Sequence, residues 1–250
     1  MNPIVSLRGV SKTFDNATKA LSNIDLDVHE GEFLCLVGPS GCGKSTVLRL
    51  IAGLLSPSDG SVAYAFPRPE MSFVFQEPTL MPWATALDNA RLPLQLKHVG
   101  TSEADRRARS ALQRVGLQGF EHAYPRELSG GMKMRVSIAR AIAGNAKLIL
   151  LDEPFAALDE LTRQELNDDL LKLWREDALS VVFVTHSVYE SAYLSSRVVV
   201  FTPRPGRVAS EVRLRPPVGR TEQHRLSPEF AADASRISLA LRSAMGTKAA

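Results

Sequence analysis

The chain has 250 residues, 44% of them hydrophobic and 23% charged, with a formal net charge of +3. This is the composition of an ordinary globular protein with room for one large domain or a domain with a lobe, and its charge is too small to argue for a nucleic-acid partner. Two cysteines offer no disulfide framework, no apolar run approaches the ~18 residues of a spanning helix, and Met1 to Arg8 lack an export signal, so a chain of a reducing compartment is expected, neither secreted nor itself membrane-embedded.

Ile4 to Val10 and Ile24 to Val28 alternate apolar with polar residues, which predicts half-solvated strands forming an antiparallel edge. Between them Ser11-Lys12-Thr13-Phe14 reads as a turn, and the pattern leaves Phe14 open between a core-edge residue and a free aromatic face. Phe33-Leu34-Cys35-Leu36-Val37 is a short apolar run between two glycines, as expected of a strand buried on both faces. Next comes Gly38-Pro39-Ser40-Gly41-Cys42-Gly43-Lys44-Ser45-Thr46, which matches G-x-x-x-x-G-K-[ST] at every fixed position and leads into a helical pattern ending at Gly53. Such a loop lets backbone N–H groups converge on phosphates beside a helix N-terminus. Lys44 is placed to reach the outer phosphates, and the Ser45 hydroxyl to ligate Mg²⁺.

Ser61 to Tyr64 predicts a short strand and Met71 to Phe75 a buried one, which ends at Gln76. An amide at that end of a parallel strand stands where α/β sheets place ligand contacts, although alone it reads equally as a turn residue. From about Trp83 to Asn145 the pattern is helical, arguing for an inserted lobe. Its helices run from Thr85 to Lys97, with Pro93 expected to kink the first, from Thr101 or Ser102 to Val115, and from Lys133 to Ala143. The last opens with Leu128-Ser129-Gly130-Gly131-Met132, a capped start that is either a second anion site or a helix cap and nothing more.

Leu148 to Leu151 is again a buried strand, followed by Asp152-Glu153-Pro154. Carboxylates in that position need a partner, and Mg²⁺ is the one the phosphate loop implies. Asp152 is expected to order the metal and Glu153 to act as general base toward water. A helix is expected from Glu160 to Glu176, then a strand from Ser180 to Thr185 ending at His186, a candidate γ-phosphate contact by position although a lone His is commonly structural. Arg197 to Thr202 predicts a last strand, and Ser227-Pro228 starts a helix in an otherwise polar tail.

Together these residues resemble the ATP-binding subunits of ABC transporters, over Ile4 to Arg207. Gly38 to Thr46 is similar to the Walker A loop, Leu148 to Glu153 to Walker B with its catalytic glutamate, and Leu128 to Met132 to the family signature. Gln76 resembles the Q-loop glutamine, a metal and catalytic contact; Ala157 to Asp159 the D-loop; His186 the switch histidine; and Phe14 an aromatic that stacks on adenine. Met132 departs from the commonest signature, which has Gln there.

The resemblance implies an α/β P-loop NTPase core with a mixed sheet and an antiparallel edge, plus an inserted helical lobe. The core would be 1–82 with 146–215, the lobe 83–145 and the tail 216–250. It also implies ATP and Mg²⁺, and a head-to-tail second copy whose Ser129, Gly130 and Gly131 close each ATP. Beyond these it implies membrane permease subunits, indirectly a solute-binding protein, and a peripheral location at the cytoplasmic face of the plasma membrane. The segments Met81 to Ala90 and Thr202 to Val208 are similar to ATPases of the nitrate, sulfonate and taurine import group, with pyrimidine-precursor importers the alternative. The rivals are a non-transport ABC ATPase, for which the chain lacks a coiled-coil insertion or second ATPase half, a small-molecule kinase, and a nucleotide-gated binding module. Asp152-Glu153 with the Leu-Ser-Gly-Gly element favours water over a substrate hydroxyl as nucleophile.

Overall fold

A computed structural model describes residues 3–246; Met1, Asn2 and the last four residues of the expected tail lie outside the described residues. The chain opens with β1 (Pro3–Thr13) and β2 (Lys19–His29), paired antiparallel. Both are longer than the alternation predicts. Register shifts between Leu7 and Val10 and between Val10 and Lys12 reset the faces while pairing continues, so a strict period of two is lost inside one strand. Ser11 to Thr13 therefore belong to β1 and only Phe14 starts the turn.

The buried run is β3 (Phe33–Val37), followed by α1 (Lys44–Ile51), β4 (Asp59–Tyr64) and β5 (Met71–Val74). The next segment is helical: α2 (Ala86–Leu96), α3 (Thr101–Arg114) and α4 (Gly130–Ala143). Thr85 and Asp88 form a reciprocal cap on α2, and Pro93 lies inside that helix without ending it. The chain then returns through β6 (Leu148–Asp152), α5 (Glu160–Glu176), β7 (Ser180–Val184), α6 (Val188–Leu194), β8 (Arg197–Phe201) and β9 (Val208–Arg213). Two tail helices close it, α7 (Glu222–Arg225) and α8 (Pro228–Ala244), the second capped by Ser227. The sequence did not predict β9, α6 or α7: β9 is an edge strand with polar residues, and the two helices are too short to show a period.

Two sheets result. One has three antiparallel strands in the order β2-β1-β4, and the other six strands in the order β5-β6-β7-β3-β8-β9. In the larger sheet every neighbouring pair is parallel except β8 with β9. Its central strands serve two cores, which is why they read as unbroken apolar runs. On β3, Phe33, Cys35 and Val37 face the core shared with the helices, while Leu34 and Leu36 face the one shared with the small sheet and α1. At the start of β8, Arg197 is nearly buried and pairs with Glu32, just before β3, at 2.6 Å and with Glu211 on β9 at 2.9 Å, tying these three neighbouring strands together at the base of the sheet.

Candidate nucleotide site

Four adjacent parallel strands, β5, β6, β7 and β3, end on the same side of the large sheet. Each delivers one feature the sequence singled out: Gln76 just beyond β5, Asp152 and Glu153 at β6, His186 beyond β7, and the loop Gly38 to Lys44 at β3. Residues over a hundred positions apart thus meet at one edge, where open α/β sheets bind ligands.

The loop from β3 to α1 is tightly wound. Gly43, the residue before the helix, has φ +104°, and a Cβ there would come within 2.6 Å of Leu21 Cδ2 and 3.0 Å of the Ala20 carbonyl. Only glycine suits that backbone and that approach. Cys42 is 1% exposed and its side chain turns into the core, so it offers no side-chain group to a ligand. Ser40 and Gly41 are exposed, and the helical pattern starts at Lys44 rather than Thr46. Lys44 is 4% exposed, and its ammonium donates to the carbonyls of Gly38 at 2.8 Å and Pro39 at 3.1 Å. A buried cation inside a ring of glycine backbone at a helix N-terminus fits a polyphosphate.

Ser45 Oγ, in the first turn of α1, donates to Asp152 Oδ1 at the end of β6 at 2.7 Å. Burial pushes the Asp152 carboxyl up from the ordinary carboxylate range, against the bond from Ser45 and the positive charge of Arg49. A hydroxyl and a carboxylate oxygen side by side form the sparse hard-oxygen set that Mg²⁺ takes when phosphate and water supply the remaining ligands. Glu153 follows at φ +47°, a left-handed conformation unusual for a non-glycine residue, held by its N–H bonding the Val184 carbonyl at 3.0 Å. That twist redirects the chain at the end of β6 and sets Glu153 Oε2 3.4 Å from His186 Nδ1.

Two sequence candidates, the Ser129–Gly131 element and Phe14, stand outside this cluster. Ser129 caps α4, accepting from Met132 N–H at 3.2 Å; with Gly130 it is exposed, and α4 begins at Gly130, not Lys133. A Cβ on Gly131 would lie 2.7 Å from Thr162 Cγ2, so this helix start packs on the start of α5. Phe14 is 36% exposed at the β1–β2 turn, with Lys12 Nζ 5.6 Å from its ring centre. Gln76 is exposed past β5. The sequence reading missed one contact: Arg204 Nε donates to the Gly41 carbonyl at 3.0 Å, and Gly206, where a Cβ would come within 2.0 Å of the Cys42 carbonyl, packs the same turn behind the loop. The Pro203-Arg204-Pro205-Gly206-Arg207 turn was its only signal.

A phosphate cradle, a paired hydroxyl and carboxylate, and a glutamate beside a histidine on consecutive strand ends define a P-loop nucleotide hydrolase. The ABC transporter family profile matches residues 21–156. An ABC transporter ATP-binding protein of Methanocaldococcus jannaschii is 48% identical over 84% of this chain and 82% of its own length. A taurine import ATP-binding protein of Rhizobium johnstonii is 41% identical over 87% of each. Among solved structures, a dimeric post-hydrolysis ATP-binding cassette bound to ADP and phosphate superposes with a TM-score of 0.75, at 37% identity, covering 84% of this chain and 99% of that one. The chain belongs to the ABC transporter family, as an ATP-hydrolysing nucleotide-binding subunit with the mixed α/β P-loop fold and helical subdomain of that family. No helix among the described residues is long and apolar enough to cross a membrane.

Proposed function

We propose that the chain powers a bacterial importer as a head-to-tail dimer, binding one ATP in each of two composite sites. The observation that carries this is the separation of the parts. The loop, Asp152, Glu153 and His186 share one sheet edge, whereas Ser129 to Gly131 lie at a helix start packed on Leu158 and Thr162. An exposed, capped helix start with free N–H groups suits the phosphates of an ATP held by a second copy. The similar cassette that is dimeric with ADP and phosphate supports the same arrangement.

In this reading the backbone of Gly38 to Thr46 and Lys44 hold the phosphates, and Phe14 stacks on the adenine. Ser45, Asp152 and Gln76 hold Mg²⁺, which when bound neutralises charge on the phosphate oxygens. Glu153 takes a proton from the attacking water, and His186 bonds the γ-phosphate. The partner's Ser129, Gly130 and Gly131 close the site. Residues 83–145 form the lobe that meets the permease, with Trp83, 76% exposed, at its edge. Residues 1–82 and 146–215 form the core, and 216–250 the tail. The subunit sits on the cytoplasmic face of the plasma membrane. The resemblance of the segments at 81–90 and 202–208, and the taurine-import relative, support nitrate, sulfonate or taurine as the solute.

Phosphate release from the purified chain with Mg-ATP, and its loss with nucleotide binding in Lys44→Ala, test the site; tight ATP binding by that variant would sink it. In vesicles carrying the permease and solute-binding protein, taurine, nitrate or a sulfonate should stimulate hydrolysis. Stimulation by a pyrimidine precursor instead would overturn the solute assignment.

A further inference from the structure

Glu190, four residues beyond His186, is 8% exposed and has no part in the cycle described above. A carboxyl at that depth costs stability unless hydrogen bonds hold it. Only one of its oxygens is held: Oε2 accepts from the Thr185 hydroxyl, while Oε1 has no partner among the described residues. Burial pushes this carboxyl up from its ordinary range, against the Thr185 bond and the charges of Arg163 and His186, with Glu160 adding to the rise. An apolar side chain would sit there at lower cost, so the polar group has to be explained by what it holds.

It holds both neighbours of His186. Thr185 Oγ1, while donating to Glu190, accepts the Ser187 N–H at 3.0 Å. Ser187 Oγ in turn accepts the Glu190 N–H at 3.2 Å as the cap of α6. Thr185 is 2% exposed, and its N–H reaches the Leu36 carbonyl at 3.3 Å on β3, the strand that leads into the phosphate loop. The His186 side chain by contrast is 60% exposed, and its hydrogen-bonding contact is Glu153. The place of the imidazole is therefore set by the backbone of residues 185 to 187 rather than by packing around the ring.

We propose that Glu190 is a positioning residue for His186, acting through the Thr185 hydroxyl to fix the imidazole relative to Glu153 and the phosphate loop. This rests on the reading of His186 as the γ-phosphate contact. The test uses the full chain and four variants. Glu190→Leu and Thr185→Val keep bulk and remove one end of the bond; Glu190→Gln and Thr185→Ser keep an acceptor or a donor.

A group misplaced by about 1 Å can lose up to about 100-fold in rate, so kcat in the first pair should fall about 10- to 100-fold. KM for ATP should stay within about twofold, since nucleotide binding does not need the ring. The melting temperature of Glu190→Leu should be unchanged or higher, and the second pair should keep wild-type kcat within about threefold. The imidazole signal of His186, one of five histidines, is identified in a proton–carbon NMR spectrum by its loss in His186→Ala. It should move in Glu190→Leu and Thr185→Val and stay in Glu190→Gln. Wild-type kcat in Glu190→Leu, an unmoved His186 signal, or an equal loss in Glu190→Gln would each overturn the proposal. Full hydrolysis by His186→Ala would instead refute the role of His186, and the NMR shift would still report whether Glu190 places the ring.

Discussion

Replacing Glu153 with Gln isolates proton transfer from everything else the residue does. The amide has the shape of the carboxylate, so the left-handed turn at φ +47° and the N–H bond to Val184 survive. It also still reaches His186, whose Nδ1 lies 3.4 Å from Oε2. What is lost is the ability to take a proton from water. A positioned general base contributes about 10²- to 10⁴-fold. At about 1.36 kcal/mol per decade, the barrier rises by about 2.7 to 5.4 kcal/mol. ATP affinity should hold or improve, because a negative charge is removed from the neighbourhood of the γ-phosphate while Lys44 and the loop are untouched. The ATP-bound dimer should then accumulate, since the step that weakens it is blocked. Continuous phosphate-release kinetics measure the first effect, and light scattering on a sizing column with and without Mg-ATP the second. Hydrolysis within about threefold of wild type, where a lost general base predicts at least about 100-fold, would refute the base assignment.

Ser129→Arg should leave nucleotide binding by the single chain intact and abolish ATP-dependent dimerisation and turnover, as sizing and phosphate release will show. Phe14→Ala should weaken ATP binding by about 1 to 3 kcal/mol, the worth of one base–aromatic stack, in a fluorescent-nucleotide titration. Its melting temperature should barely change, because the ring is 36% exposed. Arg197→Met leaves Glu32 and Glu211 without their cation and should cost about 3 to 5 kcal/mol in a denaturant titration. Burial acts to raise the Glu32 carboxyl, but the bond and charge of Arg197 outweigh it and hold it below its usual 4.5. That contribution is therefore full above about pH 4.5 and fades as pH falls through the lowered value, so wild type and Arg197→Met should converge in acid.

The phosphate loop was legible because its chemistry is local: nine consecutive residues carry the glycines, the cation and the hydroxyl. The buried strands were legible because β3, β6 and β7 are each covered on both faces, so apart from Ser180 and Asp152 at strand ends they carry only apolar residues. Gln76 and His186 were not, taken one by one, because their meaning depends on the strand order β5-β6-β7-β3, which no local pattern encodes. Strand-end position made them candidates, and the resemblance of the whole set decided against reading them as a turn residue and a structural histidine. The left-handed backbone of Glu153 leaves no mark in residue type, and the Arg197–Glu32 pair joins positions 165 residues apart. Bulges in β1 hid three residues of strand behind what looked like a turn.

The same contacts explain how two half-sites on one chain can be mechanically joined. Glu153 directly follows β6, and the segment after it reaches Asp159, the cap of α5, within six residues. Arg163 on α5 pins that segment, donating to the Leu158 carbonyl at 2.8 Å and the Phe155 carbonyl at 3.3 Å. The first turn of α5 then meets Gly131, where the absent Cβ leaves no slack against Thr162. A short, hydrogen-bonded run thus links Glu153, the proposed general base, to the Ser129–Gly131 element. In the proposed head-to-tail dimer that element would face the other ATP, so this run would join the chemistry of one nucleotide to the closure of its neighbour.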